Sequence, residues 1–148
     1  LSTMDDKRSL KSAQNNIRGL VQDLSERLDA KANVLRSETA FASTRPADAK
    51  TFMLISRHNR GLTDLSKALK ISRQAAHKSV LRLVKAGVVQ FDFAEGSRRD
   101  MIANLTDEGL KARKVGLEIA GAVEDMVRDK IGDADLETLR RILVELNK

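Results

Sequence analysis

Four polar side chains that could bind the edges of DNA bases lie close together near the middle of the chain. They are Arg73, Gln74, His77 and Lys78. Arginine suits the paired acceptors of guanine and glutamine suits adenine, so this spacing along one helical face favours contact with a major groove. Arg82 continues the same face one turn later and is predicted to bind DNA together with them. The alternative is an exposed polar helix face, which is the ordinary meaning of such a charged run.

The elements that would position these side chains form a helix-turn-helix over residues 61–89. Thr63 is placed to cap the first helix, because a threonine oxygen can accept a hydrogen bond from a free backbone N–H of the first turn. Ile71 would fill the turn between the two helices. The inward face of the first helix recurs at a spacing of three to four residues, at Leu65, Ala68 and Leu69.

The second helix would carry the four polar side chains. Ser72 is placed to cap it and Gly87 to end it, since glycine readily takes the left-handed conformation that follows many helices. Its first turn would then project into a major groove, as in other helix-turn-helix proteins. The inward residues of this helix are Ala76, Ser79, Val80 and Leu83.

A β-hairpin is predicted directly after the second helix. Residues 88–93 alternate with the period of a strand, residues 94–100 form a polar turn, and residues 101–105 return as a second strand. Arg98 and Arg99 lie side by side in the turn, where arginines suit contact with phosphate or with a minor groove. The alternative is that they only keep the hairpin tip soluble. Thr106 would start another helix.

In the order of these elements the chain resembles the MarR family of winged-helix transcription regulators. The resemblance rests most on residues 62–89, 97–109 and 134–148. It implies that residues 1–148 form one domain, mostly α with a small β-wing. Residues 47–105 would be a DNA-binding lobe, and residues 8–36 and 107–148 would be dimerisation helices. It also implies a homodimer on a pseudo-palindromic operator of double-stranded DNA.

Two features depart from the family pattern. The family's wing usually has an acidic residue two places before its key arginine, where this chain has Ser97. A salt bridge to Arg99 would therefore have to come from Glu95 or Asp100. The second departure is a pair of apolar residues in the second helix, which we expect to pack on the wing or on a partner surface: Leu81 and Val84.

The positive charge of the chain is concentrated on the predicted lobe. The formal net charge is +6. Residues 57–99 hold ten basic and three acidic residues, a balance of +7, so the rest of the chain carries −1. This distribution favours a polyanionic partner for the lobe.

Both ends of the chain predict helices with apolar stripes. Residues 8–36 contain no proline and repeat apolar residues at helical spacing, over a length that a small lobe cannot cover. Residues 110–131 form a second long stretch, which Gly132 and Asp133 should break. We expect these faces to form a dimer interface, although an intramolecular core is the alternative. The apolar residues are Leu10, Ile17, Val21, Leu24, Leu28 and Leu35, then Leu136, Leu139, Ile142, Leu143 and Leu146.

Pro46, the only proline, should end a loop and begin a helix that contains Leu54 and Ile55. The four phenylalanines are expected in the core. The resemblance implies an effector pocket near the first two of them. They are Phe41, Phe52, Phe91 and Phe93.

Composition argues against several classes of protein. The 148 residues are 41% hydrophobic and 32% charged, include no cysteine and only two histidines, and show no phosphate loop or catalytic motif. We therefore expect no enzyme, no cofactor and no metal site, although a weak metal site of histidines and carboxylates stays open. No run approaches the roughly 20 apolar residues of a membrane span, so we expect a cytoplasmic protein away from membranes.

The sequence thus predicts a sequence-specific DNA-binding regulator. We expect a repressor, because simple dimers of this kind act by occluding promoters, and one released by a small-molecule effector. A winged helix that serves only as a protein-interaction module is the alternative function.

Overall fold

The computed structural model describes residues 3–8, 15–58, 60–93, 96 and 101–148. A short helical segment covers residues 4–8. The elements that follow are α1 (Ile17–Ser37), α2 (Pro46–Arg57), β1 (Arg60–Gly61), α3 (Leu62–Leu69), α4 (Arg73–Lys85), β2 (Val89–Phe93), β3 (Met101–Leu105), α5 (Asp107–Ile131) and α6 (Asp133–Leu146). The predicted fold, mostly α with a small β-wing, is confirmed.

The sheet has the strand order β1-β3-β2, and both pairings are antiparallel. β2 and β3 form the wing, with Val89 opposite Leu105 at its base and Phe93 opposite Met101 near its tip. β1 adds two residues to the other edge of β3. The sequence does not reveal β1, because two residues are too short to show the alternation of a strand.

The first long helix begins later than predicted. α1 starts at Ile17 instead of residue 8, and the Gly19 N–H donates to the Asn16 side chain at a distance of 2.9 Å. An asparagine oxygen that binds the backbone in this way favours a helix start over a helix interior. Leu10, the first residue of the predicted stripe, lies outside the described residues.

Three predictions about the first helix of the helix-turn-helix are wrong. α3 begins at Leu62 with Gly61 as its cap, so Thr63 lies inside the first turn and does not cap it. The chain passes straight from β1 into α3, which fixes the start of the helix two residues earlier than predicted. Ala68 and Ile71 are exposed, because the helix is only two turns long and buries little beyond its central leucine, Leu65.

The apolar core lies between α2, α3, α4 and the wing strands. It includes Leu65, Val80 and Ala103, which are completely buried. Phe52 is buried as predicted, and Phe41 and Phe91 pack against the core. The prediction for the fourth phenylalanine is wrong, since Phe93 is 61% exposed. It lies at the outer end of β2, beyond the part of the wing that covers the core.

The helices at the two ends of the chain bury little. α1 has no buried residue and packs against α5, while α6 buries only Leu136. Gly132 breaks α5 from α6 as predicted, with φ +83°. Arg140 of α6 binds both carboxylate oxygens of Glu124 on α5, each at 2.8 Å. Within the described residues, no helix is both long and apolar enough to cross a bilayer.

Candidate nucleic-acid interface

α4 begins at a side-chain cap. The Ala75 N–H donates to the Ser72 hydroxyl at 3.0 Å, so the predicted role of Ser72 as cap is confirmed. α3 ends at Leu69, and the capping residue Lys70 has a left-handed backbone conformation, with φ +56°, which turns the chain sharply. This tight turn leads directly into the first turn of α4, where Arg73 and Gln74 are exposed.

One face of α4 is buried and the other is exposed. The predicted inward residues Ala76, Ser79, Val80 and Leu83 are all buried, which confirms the helical register. The four polar residues at the start of the helix all face solvent. They are Arg73, Gln74, His77 and Lys78. A rigid helix therefore presents donors and acceptors along one open face of about a turn and a half.

Arg82 is engaged differently from these four. Its guanidinium binds Asp48 of α2 through two parallel hydrogen bonds, Nε to Oδ2 and Nη2 to Oδ1, both 2.8 Å long. The Ser79 hydroxyl donates to Asp48 Oδ1 at 2.7 Å and lies 2.8 Å from Thr51 Oγ1. Asp48, Thr51 and Ser79 are buried. A polar cluster thus ties the middle of α4 to the start of α2.

The cluster keeps Asp48 ionised. Burial opposes the charged form, but the hydrogen bonds from Arg82 and Ser79 outweigh it and hold the pKa of Asp48 below its ordinary value. The same contact raises the pKa of Arg82. Bidentate charge-assisted hydrogen bonds are the strongest and most directional pairs available to these two groups.

The wing lies beside α4. The His77 ring on α4 and the Phe91 ring on β2 have centroids 6.0 Å apart and planes inclined at 59°. This geometry is an ordinary tilted contact between rings, and it brings a predicted site residue against the wing. Arg98 and Arg99 lie outside the described residues, as do Glu95 and Asp100. Their contacts with DNA, and the wing salt bridge, stay predictions.

The end of α4 is joined closely to the start of α5. Gly87 follows the helix with φ +82°, as predicted, and the Val88 N–H donates to the Leu83 carbonyl at 3.2 Å. The Thr106 hydroxyl caps α5 and also donates to the Gly87 carbonyl. A Cβ on Gly109 would lie 2.0 Å from the Val88 carbonyl oxygen. Only glycine fits there, so α5 is packed directly on the backbone after α4.

A cavity of about 220 Å³ lies behind this junction, between α1, α2 and α5. Its lining is almost wholly apolar, and Arg36 supplies the charged group. Phe41 and Phe52 both line it, which is where the resemblance implies an effector pocket. Other lining residues are Met53, Val88, Val115 and Ile119.

Metal ligands are not grouped in the described part of the chain. No set of three or more histidine, cysteine, aspartate or glutamate side chains stands close enough there to hold an ion.

A capped, exposed helix with a hairpin beside it defines the winged helix-turn-helix class. Within that class, the chain has the fold of the MarR-family transcriptional regulators, as the sequence predicted. It is similar to wild-type MarR from E. coli, with a TM-score of 0.74 and 18% identity, over 88% of this chain and 96% of that chain. No protein-family model matches the chain, and no curated protein matches it either.

Two further similar structures are complexes with a bound molecule. One is the transcriptional repressor CouR bound to a 23-mer DNA duplex, with a TM-score of 0.73 and 17% identity, over 93% of this chain and 96% of that chain. The other is a MarR family protein from Mycobacterium tuberculosis in complex with salicylic acid. The TM-score is 0.72 and the identity 17%, over 88% of this chain and 96% of that chain.

The sequence did not predict the polar cluster beneath α4. Ser79 is recognisable as an inward residue, but Asp48 and Thr51 have no visible role in the sequence. Asp48 is 34 residues from Arg82, and one acidic residue near a helix start usually needs no distant partner. The usable signal is that Asp48, Thr51 and Phe52 fall on one helical face, which mixes polar and apolar residues.

Proposed function

We propose that the chain is a homodimeric transcriptional regulator that binds double-stranded DNA at specific sequences. The observation that carries this proposal is the exposed first half of α4. Four residues able to bind bases or phosphates stand there on a helix that is capped at one end and anchored at its middle. A rigid, polar helix start beside a wing is the arrangement that enters a major groove.

The residues would divide the work by chemistry. Arg73 and Gln74 lie in the first turn after Ser72, so they are best placed for base edges, with arginine at guanine and glutamine at adenine. His77 and Lys78 follow on the same face and would anchor the helix to bases or phosphates. Arg98 and Arg99 would hold the wing on the backbone or in a minor groove.

Exposed apolar side chains on the terminal helices support a homodimer. α1 exposes Ile17, Leu20 and Val21, each more than two-fifths accessible. A groove between α1, α5 and α6 is lined largely by leucine and valine side chains. Exposed apolar surface of this extent commonly marks an interface. Two copies would place two α4 helices on the two halves of a pseudo-palindromic operator.

The cavity supports release by a small molecule. Its apolar walls and the single charged group, Arg36, suit an aromatic or aliphatic acid with one carboxylate. Salicylic acid, named with the M. tuberculosis relative, belongs to that chemical class. We propose that the chain represses transcription by occupying a promoter in the cytoplasm, and that such a ligand weakens its hold on DNA.

Selection of bound duplexes from a random DNA pool tests this function. We expect an enriched inverted repeat with half-sites about 10 base pairs apart, because one helical turn brings both α4 helices to the same side of the duplex. A protein-interaction module would enrich no motif. It would also have no reason to show the steep decrease of affinity with salt that accompanies binding to phosphates.

The wing is tested separately with Arg98→Ala combined with Arg99→Ala. The variant should bind all duplexes more weakly, and the slope of log K against log salt should flatten by roughly 0.9 for each phosphate that the wing no longer neutralises. An unchanged slope in folded protein would show that these arginines do not touch the backbone.

A further inference from the structure

By its spacing in the sequence, Arg82 falls on the exposed face of α4, yet its guanidinium binds Asp48 of α2. We infer that Asp48, Ser79 and Arg82 form a joint that fixes the orientation of α4. Arg82 is then a positioning residue rather than a contact to phosphate. This inference rests on the proposed function, since it concerns how α4 is presented to DNA.

The bonds of the joint are suited to fixing a helix. Ser79 and Arg82 are three residues apart and lie on neighbouring turns of α4. Both bind the same carboxylate, at 2.7 and 2.8 Å. Two attachment points at different heights resist rotation of α4 about its axis as well as tilt. The apolar residues beside them, such as Val80, are less directional because apolar packing tolerates small rotations.

Rotation matters because the base-reading side chains are remote from the helix axis. Their ends lie about 6 Å from it, so a rotation of about 20° moves them by about 2 Å. A hydrogen bond to a base edge is made only within a few tenths of an ångström of its preferred length. Without the joint, Arg73 and Gln74 would therefore be misplaced even though neither contacts it.

The electrostatics oppose a phosphate contact by Arg82. The Nε and Nη2 donors of its guanidinium are already used by Asp48. The carboxylate also cancels the charge that would attract DNA, and it would lie close to any phosphate bound there. An arginine that binds the phosphate backbone of DNA gains no affinity from a buried acidic partner.

The test compares three variants of the full chain with a matched control. Asp48→Asn removes the charge of the acceptor, Arg82→Lys keeps the positive charge but removes the paired donors, and Ser79→Ala removes one hydroxyl. Lys85→Ala is the control, because Lys85 is an exposed cation on the same helix with no ion pair among the described residues. Thermal melting confirms that each variant is folded, and Ser79→Ala is the mildest change.

Each of the three variants should bind the selected operator about tenfold more weakly, the size expected when one paired hydrogen bond to a base is no longer made. Affinity for unrelated duplex and its salt slope should match wild type for Ser79→Ala, and neither should fall for Asp48→Asn, which leaves the Arg82 charge without its acidic partner. The inference fails if Asp48→Asn binds the operator as tightly as wild type or more tightly. It also fails if Arg82→Lys retains full affinity, because a simple cation would then suffice.

A measurement without DNA separates this inference from the proposed function. In amide NMR spectra, Asp48→Asn should shift the resonances of residues 73–78, which lie outside the cluster, while Lys85→Ala should leave them in place. Shifts confined to the immediate neighbours of residue 48 would overturn the joint. Wild-type protein that selects no DNA sequence would defeat the proposed function, and the NMR result would still decide the joint.

Discussion

The lobe and the terminal helices differ in how they are stabilised. The lobe (residues 47–105) holds nine of the eleven buried apolar residues in the described chain, among them Ile55, Leu65 and Val80. α1 runs for 21 residues without burying one. α6 buries Leu136 and leaves Leu143, Val144 and Leu146 exposed. The lobe therefore supplies nearly all of its own core, to which α5 adds Ala112, whereas α1 and α6 bury almost nothing.

This difference supports the proposed homodimer. An amphipathic helix is stable in water when its apolar face is covered, since propensity alone rarely suffices. In the proposed homodimer, a second copy would cover the open apolar faces of α1 and α6.

The largest expected effect comes from placing a charge on the terminal face. Leu143→Glu should raise the dissociation constant of the dimer by more than about 100-fold, because an unpaired charge would have to be buried at the interface. Ile71→Glu is the control, since Ile71 is similarly exposed, 41% against 38%, but belongs to the lobe. Sedimentation equilibrium checks both variants. If the wild-type protein is a monomer in solution, the terminal helices do not form a dimer interface and this prediction fails.

A second prediction concerns the junction between the two regions. Gly109→Ala should lower the free energy of unfolding by at least about 2 kcal/mol, because the new methyl group would overlap the Val88 carbonyl, which is backbone and cannot turn aside. Gly121→Ala, in open space on the same helix, should be neutral or stabilising by up to about 1 kcal/mol. Urea denaturation of both variants measures the contrast. Equal effects would mean that α5 is not held against the lobe.

A third prediction tests the ligand surface of the lobe. Arg73→Ala or Gln74→Ala should cost about 1–3 kcal/mol on the selected operator and relax the preference at one position of each half-site. Affinity for unrelated duplex should fall much less. Arg113→Ala, an exposed cation on α5, should leave base preference unchanged. If all three variants keep the wild-type preference while binding DNA, α4 does not read the sequence.

The smallest expected effect is the pH dependence of the joint. Because its pKa in the folded protein is lowered, Asp48 contributes stability above its ordinary pKa of 3.8, and this is lost as the pH falls through the folded value. The stability difference between wild type and Asp48→Asn should be about 1–2 kcal/mol near pH 7 and shrink below about pH 4. Chemical denaturation across that range measures it. A difference that is constant with pH would show that the charge of Asp48 is not used.

The features that could be predicted from sequence are those that depend on neighbours in the chain. The cap at Ser72, the stop at Gly87 and the buried face of α4 each follow from residues within a few turns of one another. The wing was also predictable, since alternation in residues 88–93 and 101–105 matches the strands closely. Local chemistry determines these features, so a single sequence suffices.

The features that could not be predicted depend on residues far apart in the chain. In the sequence, Arg82 looks like Lys78, because both are basic residues on the polar face of the same helix. Only the packing of α2 against α4 brings Arg82 to its partner, Asp48. Phe93 looks like a core residue until the extent of the sheet is known. The start of α1 is hard to place because the apolar stripe continues across Asn16 and hides the cap there.

Because Gly109 packs directly on the backbone of Val88, a small change in the direction of α5 would displace the whole lobe. The helix has 25 residues and is therefore about 38 Å long. One end is fixed to the backbone that follows α4, and in the proposed dimer the other end belongs to the shared interface. A change of about 5° in the angle at which two such helices cross would move each lobe by about 3 Å. Operator spacing would then be set by an angle at the far end of the molecule, while the base-reading surface itself stays unchanged.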